Sequence, residues 1–196
     1  MAGELVRPGT PASTGTPAST GTHADGKIRI AGVVRESIVD GPGLRFVVFC
    51  QGCPHGCEGC HNPATHDFRG GYDCEIEKIL GAIEANPLLD GVTFSGGEPL
   101  CQPEAFLQLA RQIRSRFPQQ NLLIYTGYTY EELQPMCERN EALKELLSLC
   151  DWLVDGRYVA AQRDLTLQFR GSQNQRIIDM NATREAGLVV LSKKYE

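Results

Sequence analysis

Three cysteines within an eight-residue segment constrain this chain more than any other feature of its sequence. Residues 53–60 read Cys-Pro-His-Gly-Cys-Glu-Gly-Cys and directly follow an apolar run. Thiolates are the soft ligands that iron-sulfur clusters and zinc select, and the proline and glycines between them allow the backbone to wrap tightly around a compact group. Cys53, Cys57 and Cys60 therefore predict a metal-binding loop at the end of a strand.

The spacing of these cysteines leaves three kinds of metal site open. A C-x3-C-x2-C triplet can bind three irons of a 4Fe-4S cluster and leave the fourth iron open, whereas ordinary 4Fe-4S electron carriers use four cysteines. Cys50 together with the triplet also gives two Cys-x-x-Cys pairs, as in a structural zinc site. However, Cys50 alternates with Phe46 and Val48 along the preceding strand, so it should share their buried side. The open cluster is favoured, with zinc and a closed cluster as alternatives.

Charge and hydropathy restrict the possible partners. The 196-residue chain has a formal net charge of -5, so it lacks the basic stripe that follows nucleic-acid phosphates, and we expect no nucleic-acid binding. No apolar run approaches the roughly 20 residues that span a bilayer, so we expect no membrane association and a cytoplasmic location. That compartment keeps thiols reduced, and clustered cysteines there more often bind metal than form disulfides. The scattered cysteines are assigned no role: Cys74, Cys101, Cys137 and Cys150.

The amino-terminal segment differs in composition from the rest. It contains Gly-Thr-Pro-Ala-Ser-Thr twice in tandem, beginning at Gly9 and at Gly15. Such a segment carries too few large apolar side chains to offset the entropy of ordering it. We predict a disordered low-complexity tail over residues 1–26 and a single domain over residues 27–196.

Beyond the tail, short apolar runs alternate with segments of helical period. This pattern is typical of strand-helix units around a parallel sheet. Thr129 and Glu132 form a capping-box pattern at the start of one helix. The predicted strands are residues 28–34, 44–50, 92–95, 122–125 and 152–154, the predicted helices are residues 74–86 and 103–117, and residues 177–178 and 188–191 are candidates for late strands.

A second motif, Ser95-Gly96-Gly97-Glu98-Pro99, follows the predicted strand at residues 92–95. Glycines allow close backbone approach, and a carboxylate can accept a hydrogen bond from an ammonium group. On its own the motif also fits a turn between a strand and a helix. Together with the cysteine triplet upstream, it resembles the radical S-adenosylmethionine superfamily, whose glycine-rich segment binds the amino group of the cofactor's methionine.

This resemblance implies a fold and two cofactors. The fold would be a partial, incomplete β/α barrel of the radical SAM type, within the α/β class. A 4Fe-4S cluster would be held by Cys53, Cys57 and Cys60, and its open iron would bind S-adenosyl-L-methionine. Further cofactor contacts are implied at Gly96, Gly97 and Glu98.

Within that superfamily, the chain is similar to the activating proteins of anaerobic ribonucleotide reductase, over about residues 35–175. Five blocks carry the similarity: Val39-Asp40-Gly41-Pro42-Gly43-Leu44-Arg45, Gly52 to Asn62, Tyr125-Thr126-Gly127-Tyr128, Leu153-Val154-Asp155-Gly156-Arg157-Tyr158, and Arg170-Gly171-Ser172-Gln173-Asn174-Gln175. The resemblance implies cofactor contacts at Thr126 and Asp155, although Asp155-Gly156 also has the pattern of a hairpin turn. The last block, residues 170–175, is a candidate for contact with a partner protein.

The chain departs from the superfamily at one position of the cysteine loop. Many members place an aromatic residue just before the third cysteine, where this chain has Gly59. The nearest ring is His61, directly after Cys60, so His61 becomes the candidate for contact with the adenine of the cofactor. The predicted cofactor-binding residues at this end of the loop are Gly59, Cys60 and His61.

The implied activity is that of an oxidoreductase. Reductive cleavage of S-adenosyl-L-methionine would release a 5′-deoxyadenosyl radical, which would take hydrogen from a glycine in the large subunit of an anaerobic ribonucleotide reductase. The electron would come from a donor such as a flavodoxin. Because the cluster and cofactor carry the radical chemistry, no catalytic acid or base is predicted. The alternatives are an activase of another glycyl-radical enzyme, such as pyruvate formate-lyase, and a non-enzymatic zinc or iron-sulfur module.

Overall fold

The alternating apolar and amphipathic segments form one seven-stranded sheet with accompanying helices. This is seen in a computed structural model that describes residues 26–195. The tail predicted over residues 1–26 lies outside the described residues, apart from Gly26. The strands are β1 (Lys27–Ser37), β2 (Arg45–Cys50), β3 (Tyr72–Glu75), β4 (Gly91–Gly96), β5 (Asn121–Tyr125), β6 (Trp152–Asp155) and β7 (Arg176–Asp179). The helices are α1 (Ile76–Glu84), α2 (Pro103–Arg116), α3 (Tyr130–Cys137), α4 (Glu141–Ser148) and α5 (Met180–Ala186).

The centre of the sheet is parallel and its edges are antiparallel. The strand order is β3-β1-β2-β4-β5-β6-β7, and β2, β4, β5 and β6 pair in parallel. Strand β1 pairs antiparallel with β2 and β3, and β7 pairs antiparallel with β6. The fold is therefore mixed α/β with a parallel central sheet, as the alternating pattern predicted, but β1 and β7 do not continue the parallel series.

The helices cover one face of this sheet and form the main core. Alternate residues of the central strands, such as Phe46 and Phe94, are fully buried against apolar residues of the helices. The rings of Phe94 and Phe106 of α2 lie 4.7 Å apart between centroids. Burying a side chain of this size stabilises the fold by roughly 1.5–3 kcal/mol. Within residues 26–195, none of the helices combines the length and apolar character needed to cross a bilayer.

The opposite face of the sheet carries a buried arginine. Arg45 of β2 is completely buried, and its Nε donates a hydrogen bond to Thr93 Oγ1 at 2.5 Å. Its terminal nitrogens donate to Asn121 Oδ1 at 2.6 Å, Val92 O at 2.7 Å and Pro42 O at 3.0 Å. Burial lowers the pKa of Arg45 to about 10. The guanidinium thus links β2 and β4 to the loop between β1 and β2.

One predicted helix boundary and one candidate strand differ from the structure. The helix predicted from residue 74 begins at Ile76, because Tyr72–Glu75 forms the edge strand β3 against β1. Three of those four residues are exposed, so the strand carries no apolar alternation. Residues 188–191 do not form a strand in the described region, where only an isolated bridge joins Leu191 to Ile178. The capping box of α3 is confirmed, since the Thr129 side chain accepts from Glu132 N and the Glu132 side chain accepts from Thr129 N.

Candidate functional site

The carboxyl ends of the four parallel strands open into one cavity of about 640 Å³. In sheets built from strand-helix units, active sites gather at this end, because the loops that follow neighbouring strands meet there. The cavity wall contains residues at or just beyond the carboxyl ends of β2, β4, β5 and β6: Cys53, His55, Cys57, Cys60, His61, Ser95, Gly96, Gly97, Thr126, Gly127, Gly156, Arg157 and Tyr158.

The three predicted cysteine ligands all lie on this wall. Each of Cys53, Cys57 and Cys60 is partly exposed. Gly56 and Gly59 adopt φ angles of +58° and +70°, which favour glycine and let the loop turn tightly between the thiols. Burial raises the pKa of the Cys53 thiol to about 11, and binding to a metal would deprotonate it.

The chemistry of the three cysteine donors fits an iron-sulfur cluster, since thiolates are the soft ligands that such clusters select. Among the described residues, no group of three or more His, Cys, Asp or Glu side chains is placed to hold one metal ion. In a 4Fe-4S cubane each cysteine binds a different iron, so the thiols must surround a group rather than converge on one atom. Cys53, Cys57 and Cys60 are partly exposed and line one cavity, so their thiols are available to a group bound there.

Cys50 lies away from the cavity wall. Its side chain is fully buried and belongs to the core between the sheet and the helices, with Phe46 and Val48. The sulfur accepts a hydrogen bond from Gln102 Nε2 at 3.0 Å. The prediction that Cys50 shares the buried side of β2 is therefore confirmed, which argues against both four-cysteine alternatives.

The two glycines of the second motif join the end of β4 to the cysteine loop. Gly96 has a φ of +97°, and a Cβ there would lie 2.6 Å from the backbone nitrogen of Cys50. Beyond the strands, Gly97 N donates to Cys50 O and Glu98 N donates to Gly52 O, each at 2.8 Å. Gly96 and Gly97 both line the cavity. A side chain at either glycine would push the start of the cysteine loop away from β4.

The side chain of Glu98 is not on the cavity wall, which differs from the prediction that it contacts the cofactor. It is completely buried, with Oε1 accepting from Leu100 N at 3.0 Å. Its Oε2 accepts from His55 Nε2 at 2.8 Å, Thr126 Oγ1 at 3.0 Å and Gly127 N at 2.8 Å. The carboxylate oxygens thus bind four donors of the protein itself.

The two predicted residues on the later loops differ in their position. Thr126 lines the cavity, and its hydroxyl oxygen accepts from Tyr128 N at 3.1 Å. Asp155 is completely buried and does not line the cavity. Its carboxylate accepts from Tyr130 N at 2.8 Å and from Arg176 Nε at 3.0 Å. The hydrogen bonds of Arg176 to Asp155, and to a lesser extent to Glu131, raise the pKa of Arg176. Through its bonds to Arg176 and Tyr130, Asp155 connects β6 to β7 and α3.

An aromatic pair, of which only His61 was predicted from the sequence, lies beside the last cysteine of the loop. The rings of His61 and Tyr158 have centroids 4.9 Å apart, and both side chains line the cavity. A Cβ on Gly171 would lie 3.0 Å from the Tyr158 ring, and one on Gly59 would lie 3.5 Å from it. Gly59 itself is exposed and outside the wall. Tyr158 falls within one of the similarity blocks, which was the only signal for it.

The rim of the cavity is formed by two further segments. Ile38 and Val39 line it while remaining 74% and 72% exposed. On the other side, residues 167–171 contribute to the wall, and Phe169 adopts a φ of +56°. Positive φ is uncommon for a bulky residue. Here the Phe169 carbonyl accepts a hydrogen bond from the Tyr125 hydroxyl at 2.9 Å.

Comparison with known proteins finds one family model and a set of similar activating proteins. Residues 39–178 match the family model described as a 4Fe-4S single cluster domain. Anaerobic ribonucleoside-triphosphate reductase-activating proteins match over most of their length. That of Vibrio cholerae is 36% identical, covering 71% of this chain and 90% of its own, and that of phage T4 is 33% identical, covering 72% and 87%. That of Escherichia coli K12 is 35% identical, covering 71% and 90%.

A solved structure also shows a distant likeness. QueE from Escherichia coli aligns with a TM-score of 0.41 at 19% identity, covering 53% of this chain and 54% of that chain. The similarity to the activating proteins is the one that bears on function.

Proposed function

This chain belongs to the family of anaerobic ribonucleoside-triphosphate reductase-activating proteins, and from that membership we propose that it installs a glycyl radical in an anaerobic ribonucleotide reductase. The observation that carries the proposal is the cavity at the carboxyl ends of the parallel strands. Its wall brings the cysteine triplet and the Gly96-Gly97 segment together from β2 and β4. The chain has the cofactor requirements of a radical S-adenosylmethionine enzyme with a 4Fe-4S cluster.

In this proposal the thiolates of Cys53, Cys57 and Cys60 would hold a 4Fe-4S cluster at the cavity wall. When bound, a reduced cluster would supply the electron for reductive cleavage of S-adenosyl-L-methionine to methionine and a 5′-deoxyadenosyl radical, the species that would take hydrogen from the partner's glycine. The chain's own residues orient the cofactor and exclude water. A radical of this kind must form within contact of its target, which requires one enclosed site for both.

The cofactor contacts can be assigned to three parts of the wall. The backbone of Gly96 and Gly97 is exposed to the cavity next to the cysteine loop, where it can bind the methionine end of the cofactor. His61 and Tyr158 present two rings beside Cys60, and an adenine can stack against such a surface. Thr126 lies between these regions on the loop after β5. The buried carboxylates of Glu98 and Asp155 support the wall from behind.

We also infer that the sheet is an incomplete barrel. Helices cover the face that bears Phe46 and Phe94, whereas the opposite face bears the polar side chains of Arg45 and Thr93 and leads into the cavity. An interior lined by side chains from parallel strands, with the site at the carboxyl ends, is the arrangement of strand-helix barrels. The antiparallel strands β1 and β7 flank the parallel strands, and β3 lies beyond β1.

The partner's glycine must enter through the rim of the cavity. The exposed apolar side chains of Ile38 and Val39 form one side of this rim, and residues 167–171 form the other. Arg170 and Gly171 lie within the block at residues 170–175 that we propose as a contact for the partner. A flavodoxin is the proposed electron donor, and the cytoplasm is the proposed location.

The test is to mix anaerobically reconstituted protein with a reductant, S-adenosyl-L-methionine and the anaerobic ribonucleotide reductase of the same source. Electron paramagnetic resonance should show a doublet on the reductase that collapses when the α-hydrogen of its glycine is replaced by deuterium. The Cys57→Ala variant is the control and should give no radical. A radical formed only on pyruvate formate-lyase would contradict the assignment of partner, and stoichiometric zinc without iron uptake would contradict the whole proposal.

A further inference from the structure

Among the described residues, one hydrogen bond connects the middle of the cysteine loop to the rest of the protein. Within the described part of the chain, residues 54–59 form a single hydrogen bond with residues outside the cysteine loop, from His55 Nε2 to Glu98 Oε2 at 2.8 Å. The other bonds that fix the loop lie near its ends, such as Cys53 N to His66 O at 3.2 Å. The position of the loop between Cys53 and Cys57 therefore depends on His55.

The neighbours of His55 form a close-fitting slot for its ring. The side chain is only 5% exposed, and the ring meets Tyr128 edge-on with centroids 4.5 Å apart. A Cβ on Gly127 would overlap the imidazole. Gly127 must therefore be glycine for the ring to reach Glu98, and its own N–H donates to the same carboxylate oxygen at 2.8 Å.

Glu98 connects this slot to the two other loops of the site. It directly follows the Gly96-Gly97 segment, and its Oε2 also accepts from Thr126 Oγ1 after β5. One buried carboxylate thus holds the loops that follow β2, β4 and β5. Because it is 0% exposed and already has four donors, its side chain is not available to an ammonium group in the cavity.

We propose that Glu98 is a positioning residue, which sets the distance between the cysteine loop and the cofactor-binding wall through its bond to His55. This inference rests on the proposed function, because it assumes that the cavity binds S-adenosyl-L-methionine next to a cluster. Removing the bond leaves the three thiol ligands in place but lets the loop shift relative to Gly96 and Gly97. Cofactor binding at the cluster is then lost before iron is lost.

The test compares variants in the reconstituted full-length protein. His55→Phe keeps an aromatic ring at this position but removes the donor, whereas His55→Gln keeps an N–H donor at a similar reach. Glu98→Gln keeps the shape but replaces one acceptor oxygen with a donor. Glu104→Gln, at an exposed position in the first turn of α2, is the control. The readouts are iron content and the cofactor concentration that half-saturates the change in the reduced cluster's electron paramagnetic resonance spectrum.

We expect His55→Phe and Glu98→Gln to retain iron while the half-saturating cofactor concentration rises by about 10-fold to 100-fold, as for other residues that orient ligands from behind. His55→Gln should stay within about threefold of the unmodified protein, as should Glu104→Gln. The double variant His55→Phe/Glu98→Gln should be no worse than Glu98→Gln alone, because that substitution already disrupts the carboxylate that accepts from His55.

Three results would overturn the inference. Unchanged cofactor binding in His55→Phe would show that the bond does not position the loop. An effect of Glu98→Gln alone, or additive effects in the double variant, would show that Glu98 acts through groups other than His55, such as its bonds to Thr126 and Gly127. If His55→Phe loses its iron, the result for His55→Gln tests the inference instead. Weak cofactor binding by His55→Gln at full iron content would contradict the inference, because a donor at this position would then not be sufficient to position the loop. None of these readouts needs the reductase, so failure of the inference differs from failure to form the glycyl radical.

Discussion

Replacing Cys50 by alanine should destabilise the protein modestly and leave its cluster intact. Cys50 is fully buried, and its sulfur accepts a hydrogen bond from Gln102 Nε2. The same amide group donates to Arg29 O at 2.9 Å and Gln51 O at 3.1 Å. Loss of the sulfur therefore leaves no unpaired donor, and the cost is limited to lost burial and a small cavity.

The expected magnitude follows from that geometry. Burying a group the size of one methylene stabilises by roughly 0.8 kcal/mol, and an unfilled cavity adds to the loss. We expect a decrease of about 1–2 kcal/mol in the free energy of unfolding. For a domain of this size each kcal/mol shifts the melting temperature by roughly 2–4 °C, so the melting temperature should fall by about 2–8 °C. Iron content should stay at about four per chain.

Anaerobic thermal unfolding and iron and sulfide analysis measure both quantities. Cys150→Ala is the matched control, since Cys150 is also completely buried and its thiol donates to Trp152 O at 2.9 Å. Its melting temperature should fall by a similar amount with no change in iron. Loss of the cluster in Cys50→Ala, with iron retained in Cys150→Ala, would refute the reasoning and mean a closed four-cysteine site.

Two further predictions concern the interior and the wall of the cavity. Arg45→Met should lower the free energy of unfolding, measured in denaturant titrations, by about 3–5 kcal/mol. The substitution removes the donor that Arg45 supplies to Thr93 Oγ1, Asn121 Oδ1 and two backbone carbonyls. A loss below about 1 kcal/mol would contradict this prediction. Tyr158→Leu should raise the half-saturating cofactor concentration about fivefold to tenfold through lost stacking, with iron content and melting temperature nearly unchanged. Tyr158→Phe, which keeps the ring, should bind normally, and equal effects of both substitutions would exclude stacking.

The position of the candidate metal site within the fold could be predicted from the sequence because it depends on neighbouring strands. The cysteine loop follows β2 and the Gly96-Gly97 segment follows β4, and these strands pair in parallel with Cys50 opposite Gly96. The carboxyl ends of adjacent parallel strands meet at one edge, so two short motifs more than 30 residues apart end on one wall. Because side chains alternate between the two faces of a strand, the apolar pattern of β2 was sufficient to predict that Cys50 is buried with Phe46 and Val48 and is not part of the cysteine loop.

The roles of the acidic residues could not be predicted, because their partners are distant in sequence. Glu98 bonds to His55, 43 residues earlier, and to Thr126, 28 residues later. Asp155 bonds to Arg176, 21 residues later. An acid beside glycines at a strand end looks the same in sequence whether its carboxylate faces the cavity or supports the wall from behind. Only the packed structure shows which donors surround it.

The geometry of the site depends on a short extension of the sheet. The pairing of β2 and β4 ends at Cys50 and Gly96, but two backbone bonds continue it, from Gly97 N to Cys50 O and from Glu98 N to Gly52 O. Backbone bonds in continuous register leave little freedom for the first residues of the cysteine loop. Beyond Cys53 this pairing stops, and the bond from His55 to the Glu98 side chain replaces it. The same residue thus fixes the loop twice, by its backbone at the start and by its side chain in the middle, so a carboxylate without access to the cavity can still determine the position of the cysteine loop.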